Sequence, residues 1–377
     1  MARGTDSISA RIAIVGTGYV ADLYMPSLAT FPGLKVTGAW DIDAGRLAAF
    51  TQHWGVRAAT SFDDLLSEGA PTIILNLTDP TAHAAINRAA IEAGRHVWCE
   101  KPLALTTGDA LALRDLAIGR GVHLASAPCS VLGRAAQSAW KALRENRIGK
   151  PRLVYAELDD DFIPAAPYHD WHSASGTPWP AQGEFRIGCT LEHAGYYLSW
   201  LMAMFGPVDR IVSGSARLLD DAQTGAGHST PDYASASLFF VGGTVARLTC
   251  SIVARHDHRL RIFVDDGIVE IDEAWANAAP VRIRKRFTLR RRLINSPFAA
   301  RAQAHATPHP LVGRKGAASM NFALGVSEMA QAIAANRAPR LAGDFALHLT
   351  EVSIAMQAGG EHRIASRFDA MAPMDWA

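Results

Sequence analysis

The chain has 377 residues, with 37 Lys plus Arg against 36 Asp plus Glu for a formal net charge of +1, and 49% hydrophobic against 19% charged residues. Such a length predicts two domains with separate cores, and such a balance excludes a largely disordered chain and any global electrostatic pull toward nucleic acid or an anionic membrane. Cys99, Cys129, Cys189 and Cys250 form no closely spaced pair, Met1–Ala10 has no apolar signal core, and Ala194–Val208 is too short an apolar run to span a bilayer, so a cytoplasmic protein without disulfides, zinc knuckle or membrane partner is expected.

From Arg11 onward short apolar runs alternate with helical patterns. Ile12–Val15, Leu34–Trp40, Thr72–Leu77, His96–Cys99 and Val122–Ala125 read as strands. Val20–Phe31, Ala44–Trp54, Thr81–Ala93 and Thr107–Gly119 read as helices between them. This rhythm predicts a doubly wound parallel sheet of the Rossmann type, ending near Pro128. A helix at Ala135–Glu145 and a strand at Arg152–Asp159 follow, then a Pro- and Trp-rich loop, Phe162–Phe185, and an apolar helix over Thr190–Phe205. Strands at Ile211–Ala216, Ala234–Phe240, Gly243–Ile252, Arg259–Val264 and Gly267–Ile271 predict one open, mainly antiparallel sheet. The fold class is therefore α/β: a Rossmann domain over residues 8–128 and an α+β domain over residues 129–377. The basic run Arg282–Arg301 reads as a solvated edge strand, His305–Gly316 as loop, and Met320–Asn336 as helix.

Gly16-Thr17-Gly18-Tyr19-Val20-Ala21 lies between a predicted strand and a predicted helix, the context a G-x-G-x-x-A dinucleotide fingerprint requires. Gly16 permits the tight turn, Gly18 lets a pyrophosphate approach the backbone, and the helix N-terminus offers unpaired N–H donors. Asp41, at the end of the next strand, is placed to accept both ribose hydroxyls of an adenosine. Its charge would repel a 2′-phosphate, and its neighbour Ile42 is apolar where Arg would serve NADP, so NAD is favoured over NADP.

With Asp79-Pro80 and His83, the run Gly94-Arg95-His96-Val97-Trp98-Cys99-Glu100-Lys101-Pro102, and Ile148-Gly149, the chain resembles the Gfo/Idh/MocA oxidoreductase family over nearly its whole length. The resemblance implies an N-terminal NAD(P)-binding domain, a C-terminal substrate domain, and frequent homo-oligomers, dimers or tetramers. It implies oxidation or reduction of a secondary alcohol on a sugar, cyclitol or related small molecule. Thr78, His83, Glu100 and Lys101 then join Gly16, Thr17, Gly18, Tyr19, Val20, Asp41 and Ile42 around the cofactor. Lys101 would stand by the nicotinamide and the substrate hydroxyl, where a neighbouring cation and a dry pocket lower an ammonium pKa enough for proton exchange.

One departure concerns the first long helix of the second domain. Where the family commonly has Asp-x-Gly-x-His, this chain reads His193-Ala194-Gly195-Tyr196-Tyr197. Residues four apart share a helical face, so His193 and Tyr197 are expected to point into one cleft. His193 is then the better proton acceptor and Tyr197 the better donor or orienter, with a Lys101–Tyr197 dyad as a further arrangement. In the preceding loop, Tyr168, Trp171 and Trp179 suit the C–H face of a sugar, and Arg186 a carboxylate; a proline-stiffened loop whose tryptophans pack on the sheet is the plainer reading. His169 and His172 lack a spaced third ligand, so no metal is expected.

Together these features predict an NAD-dependent dehydrogenase of a carbohydrate-like small molecule, with no nucleic-acid partner. The altered pair at His193 and Tyr197 keeps two alternatives in view. One is redox-assisted glycoside cleavage by retained NAD; the other is an NAD-binding regulator without turnover, against which an intact Lys101 argues.

Overall fold

A computed structural model describes residues 9–67, 72–145, 148–220, 223, 230–273, 275–302, 309–314 and 316–377. The chain forms two compact units. One takes in the described residues up to Cys129 together with Pro167–Gly183 and Asn321–Thr350; the other holds those of Ser130–Ala166, Glu184–Met320 and Glu351–Ala377.

In the first unit, strands β1 (Ala10–Val15), β2 (Leu34–Trp40), β3 (Ile73–Asn76), β4 (His96–Cys99) and β5 (Leu124–Ser126) form a parallel sheet in the order β2-β1-β3-β4-β5. The strands are short and almost wholly apolar because helices cover both faces of a parallel sheet. Four crossover helices are α1 (Tyr19–Leu28), α2 (Ala44–Trp54), α4 (His83–Glu92) and α5 (Thr107–Arg120), with a short α3 (Phe62–Ser67) before β3. Local chemistry sets their ends: Asp43 and Thr106 cap α2 and α5 by accepting the Arg46 and Asp109 amides, and Gly55 and Gly121 close them in the left-handed conformation. Ala13, Val15, Ile74, Val97, Leu113 and Leu124 pack one face of the sheet, joined by Ala346 and Leu347 from late in the chain. Each fully buried Val, Ile or Leu side chain among them contributes about 1.5–3 kcal/mol.

The parallel register decides what happens at the carboxyl edge. Val15 lies beside both Trp40 and Asn76, and Asn76 beside Cys99. The four segments that follow, Gly16–Gly18, Asp41, Thr78 and Glu100–Lys101, therefore emerge along one edge, where strand order reverses between β1 and β3. This is the position at which doubly wound sheets bind ligands.

The second unit is built on β6 (Pro151–Asp159), β7 (Val208–Ala216), β8 (Tyr233–Phe240), β9 (Val245–Ser251), β10 (Leu260–Val264), β11 (Gly267–Ile271), β12 (Val281–Leu289), β13 (Arg292–Asn295), β14 (Ala300–Ala302) and β15 (Gly360–Arg363). Their order is β13-β12-β11-β10-β6-β9-β8-β7-β15, with β14 also on β12. Every pair is antiparallel except β6 with β9. In β8, β10 and β11 buried residues alternate with less buried ones, the period of a sheet with one covered face. Helices α6 (Arg134–Arg144), α7 (Ala181–Ile187) and α8 (Gly195–Phe205) complete the elements before β7.

Several sequence expectations shift. The basic run divides: Arg282–Arg284 is not an edge, because β12 is flanked by β11 on one side and by β13 and β14 on the other, and Arg282 and Arg284 pair with Asp272 at 2.5 Å and Glu270 at 3.3 Å, whereas β13, later in the same run, is the exposed end of the sheet. Thr190–Phe205 is not one α-helix, because Thr190–Ala194 is a π-turn ahead of α8. The expected Met320–Asn336 helix is confined to Leu324–Ala334, and a further helix, Asp344–Ala358, was not anticipated after Pro339. Of the expected loop at His305–Gly316, residues 305–308 and 315 lie outside the described residues.

Candidate active site

Gly16 closes the β1–α1 turn with φ of +88°, and a Cβ there would lie 2.6 Å from the backbone of Leu77 and Thr78. Only glycine fits both the conformation and the space. A Cβ on Gly18 would meet nothing within 4 Å, so open space lies over this residue. Gly18 is also the N-cap of α1, and no side chain caps the helix. Its first-turn amides are thus available to an anion. Thr17 is buried, Tyr19 and Val20 are half-buried, and Ile42 is 87% exposed beside Asp41.

Asp41 is buried and more heavily committed than its sequence position suggests. Its carboxylate accepts from Thr17 N at 2.7 Å, Thr17 Oγ1 at 3.0 Å, Asp43 N at 2.8 Å and Arg46 Nη2 at 2.8 Å. Burial pushes this carboxyl up, but the Arg46 hydrogen bond and the two amides prevail and hold it below its ordinary value. Arg46, one turn into α2, was not among the expected site residues.

Across the edge, Glu100 is buried beneath the Glu-Lys-Pro turn. Its Oε1 accepts from Tyr24 Oη at 2.6 Å, and its Oε2 from the Lys101 amide at 3.2 Å. Trp98 Nε1 in turn donates to Tyr24 Oη at 2.9 Å. A tyrosine of α1 and a tryptophan of β4 thereby pin the turn that carries the half-buried Lys101. His83 is fully buried, with Nδ1 2.7 Å from Pro102 O and Nε2 3.0 Å from Thr78 O. Thr78 Oγ1 donates to Asn76 Oδ1 at 2.7 Å, and Asn76 Nδ2 donates to Asn87 Oδ1 at 2.8 Å. His83 and Thr78 thus tie the loop after β3 to the lysine turn.

The aromatic loop divides. Tyr168, Trp171 and Trp179 belong to the first unit, where Trp179 meets both Tyr168 and Trp171 edge-on at 5.7 and 5.3 Å. Ser173 and Thr177 close a small hairpin, and Ser175 Oγ donates to Asp22 Oδ2 on α1 at 2.6 Å. Arg186 is exposed at the end of α7, in the second unit, as are His193 and Tyr197.

Tyr197 departs from expectation. Its side chain is fully buried, its hydroxyl donates to the backbone carbonyl of His258, and its ring meets Trp200 edge-on at 5.6 Å. Burial pushes its phenol well above the ordinary range. The reason is local: His193 sits in the π-turn, whereas Tyr197 belongs to α8, which turns its apolar residues inward. Tyr197 is a packed helix residue.

His193, by contrast, remains 19% exposed at its side chain and meets a group the sequence reading missed. Its Nδ1 lies 2.7 Å from Asp160 Oδ2, while Asp160 Oδ1 lies 2.7 Å from His258 Nε2 and His258 Nδ1 lies 2.8 Å from Glu273 Oε1. Glu273 Oε2 also meets the exposed His256 Nε2 at 3.2 Å. Burial pushes Asp160 up, but the imidazoles of His193 and His258 overcome this and hold it well below the carboxylate range. Burial likewise pushes His258 down, yet its bonds to Asp160 and Glu273 raise it to about 9. Asp160, His256 and His258 present ligand atoms within 4.8 Å of one another, but each of these side chains already has a hydrogen-bond partner in the group. We therefore read the group as an ion-pair network. The runs Asp159-Asp160-Asp161 and His256-Asp257-His258 were its only sequence signal.

Comparison with known proteins accords with this architecture. Residues 10–127 match the oxidoreductase family with an NAD-binding Rossmann fold, and residues 136–270 match the GFO/IDH/MocA C-terminal domain. The chain belongs to the GFO/IDH/MocA oxidoreductase family. Among its relatives, a UDP-N-acetylglucosamine 3-dehydrogenase of Acidithiobacillus ferrooxidans is 29% identical over 266 residues, 70% of this chain and 74% of that one. An inositol 2-dehydrogenase of Saccharopolyspora erythraea is 27% identical over 175 residues, 45% of this chain and about half (51%) of its own. The structure of the WlbA dehydrogenase from Bordetella pertussis, in complex with NADH and UDP-GlcNAcA, superposes with a TM-score of 0.71 at 17% identity, over 96% of this chain and 99% of that one, a likeness of fold.

This GFO/IDH/MocA protein is thus an oxidoreductase whose first unit binds NAD. The turn fits that cofactor: Gly16 fills the tight position, open space lies over Gly18, and the amides at the start of α1 carry no side-chain cap. Among the described residues no helix is long and apolar enough to cross a membrane.

Proposed function

We propose that this protein is an NAD-dependent dehydrogenase acting on a secondary alcohol of a sugar, cyclitol or sugar nucleotide. The observation that carries the reading is Lys101, held half-buried on a turn pinned by Glu100 and Tyr24 at the carboxyl edge of an NAD-binding sheet. The relatives named for UDP-N-acetylglucosamine and inositol support the substrate class.

In this reading Gly16, Thr17, Gly18, Tyr19 and Val20 hold the pyrophosphate side, Asp41 and Ile42 the adenosine, and Thr78, His83 and Glu100 shape the nicotinamide end. Bound NAD supplies the acceptor for the carbinol hydride. The chain's own task is to take the hydroxyl proton, leaving a ketone. Lys101 Nζ and His193 Nε2 are the two candidate acceptors. Trp171 and Trp179 offer ring faces to sugar C–H bonds, Tyr168 supports them, and Arg186 meets an acidic substituent. Tyr197 has no part. The domain roles follow, with cofactor binding on residues 8–128 and substrate binding and assembly, as a homodimer or homotetramer, on residues 129–377.

The test is absorbance at 340 nm with NAD or NADP against sugar nucleotides, cyclitols, uronic acids and glycosides. The expected result is substrate-dependent NADH formation that Lys101→Ala abolishes. Glycoside cleavage without net NADH would replace this reading with redox-assisted cleavage, and tight NAD binding with no turnover of any substrate would replace it with a regulator.

A further inference from the structure

We propose that Asp160 and His258 are positioning residues for His193: Asp160 fixes the ring with Nδ1 protonated and Nε2 presented as acceptor, and His258, an imidazolium between Asp160 and Glu273, keeps Asp160 ionised. The inference rests on the reading of His193 as a proton acceptor.

The geometry carries it through donor and acceptor counting. An ionised carboxylate only accepts, and a neutral imidazole has a single N–H. His258 has a carboxylate oxygen at each ring nitrogen, 2.7 Å away at Nε2 and 2.8 Å away at Nδ1, so both contacts are satisfied only by the doubly protonated ring. That ring is fully buried, its backbone carbonyl accepts from Tyr197, and the Trp275 ring closes on it edge-on at 4.3 Å. The cation therefore has nowhere to turn but to its two carboxylates.

Asp160 is equally enclosed, with its side chain 3% exposed, and an isolated carboxylate so placed would take up a proton. His258 prevents this. His193 Nδ1 lies 2.7 Å from the Oδ2 of the ionised Asp160; in the proposed state that nitrogen carries the proton, which leaves the Nε2 lone pair for substrate. Asp160, Glu273 and His258⁺ sum to one negative charge, which a proton on His193 cancels.

Two hydrogen bonds set the approach: Asp159 and Asp257 exchange backbone N–H···O contacts of 3.1 and 3.0 Å, which brings Asp160 and His258 side by side. The other titratable groups near the network are Asp159, which accepts from Ser251 at 2.5 Å, Asp257, which pairs with Arg259, the buried Cys250 thiol, Asp272, and His256 on Glu273. Asp159, Asp257 and Asp272 add negative potential, and with it favour the His258 cation.

The test is nitrogen-15 NMR of the histidine side chains in the full chain without cofactor or substrate, with His193→Gln and His258→Gln assigning the two rings. The expected result is His258 doubly protonated at pH 7 and neutral His193 in the Nδ1–H tautomer. Asp160→Asn should move His193 from the Nδ1–H toward the Nε2–H tautomer, because the carboxylate that holds the Nδ1 proton is gone. A neutral His258 at pH 7, a His193 tautomer unmoved by Asp160→Asn, or resonances that change with added zinc and revert with chelator would each overturn the proposal. If a variant fails to fold, the ring states of the unsubstituted protein still decide it. NMR shifts as expected without turnover of any substrate would defeat the functional reading and spare this one; Lys101-dependent turnover with His193 indifferent to Asp160 would do the reverse.

Discussion

Tyr24 on α1 donates to Glu100 at 2.6 Å, so the helix that opens the dinucleotide turn is joined through one buried hydroxyl to the turn that carries Lys101. The same hydroxyl accepts from Trp98, which leaves it fully satisfied inside the first unit. Tyr24→Phe removes both bonds without changing the packing volume. We expect a loss of about 1–3 kcal/mol in urea unfolding, since Glu100 and Trp98 each lose a buried partner. A larger fractional loss in kcat than in NAD affinity would follow from a misplaced Lys101 and separates that effect from general destabilisation.

Gly16 and Gly18 make a matched pair of tests. Gly16→Ala meets the Leu77 and Thr78 backbone at 2.6 Å from a left-handed φ, and should cost about 1–3 kcal/mol of stability. Gly18→Ala meets nothing within 4 Å and has φ of −72°, so its Tm should stay near that of the parent. Its NAD affinity, measured by isothermal titration calorimetry, should nevertheless fall, because the added methyl occupies space a pyrophosphate needs.

Arg46 holds Asp41 at 2.8 Å, and the two have opposite leanings toward a 2′-phosphate. Asp41→Ser removes the repelling charge, keeps a hydroxyl beside Thr17 and leaves the guanidinium with Asp43, at 3.3 Å, as its carboxylate partner. Fluorescence titration with NADPH and NADH should show the affinity ratio moving toward NADPH by about tenfold or more. Asp41→Ser with Arg46→Ala should not show that gain, which assigns it to the arginine.

The ion-pair network of the second unit makes stability depend on pH in two directions. His258 is raised from 6.5 to about 9, so its contribution is complete below pH 6.5 and is lost as pH rises through about 9. Asp160 is held below 3.8, so its contribution is complete above that value and is lost as acidification protonates it. Tm measured across this range should form a plateau with an alkaline fall centred near pH 9. His258→Gln should lower the plateau and flatten that fall; an unchanged alkaline limb would assign it to other groups.

Much of the first unit was legible because its signals are local. A short apolar strand, Gly16-Thr17-Gly18 and an amphipathic helix announce themselves within a few residues, and the parallel register then brings Asp41, Thr78 and Lys101 to the same edge. In β8, β10 and β11 the two-residue period was equally readable. The helix Asp344–Ala358 was not, because its composition suits a buried segment without periodicity, and whether such a run is buried depends on what covers it.

The sequence by itself determined the class of fold, the dinucleotide turn, the acidic residue beyond it and the Glu-Lys-Pro turn, all of which follow from backbone geometry over short spans. Only the tertiary structure decided which polar groups meet. Asp160 and His258 stand 98 residues apart and touch because β6 and the segment before β10 pair there. Tyr197 and His193 stand four apart, yet the core seals Tyr197 completely and leaves His193 partly exposed beside Asp160. Local propensity sets elements, but a buried charge finds its partner through the strand pairing and helix direction that the whole core imposes.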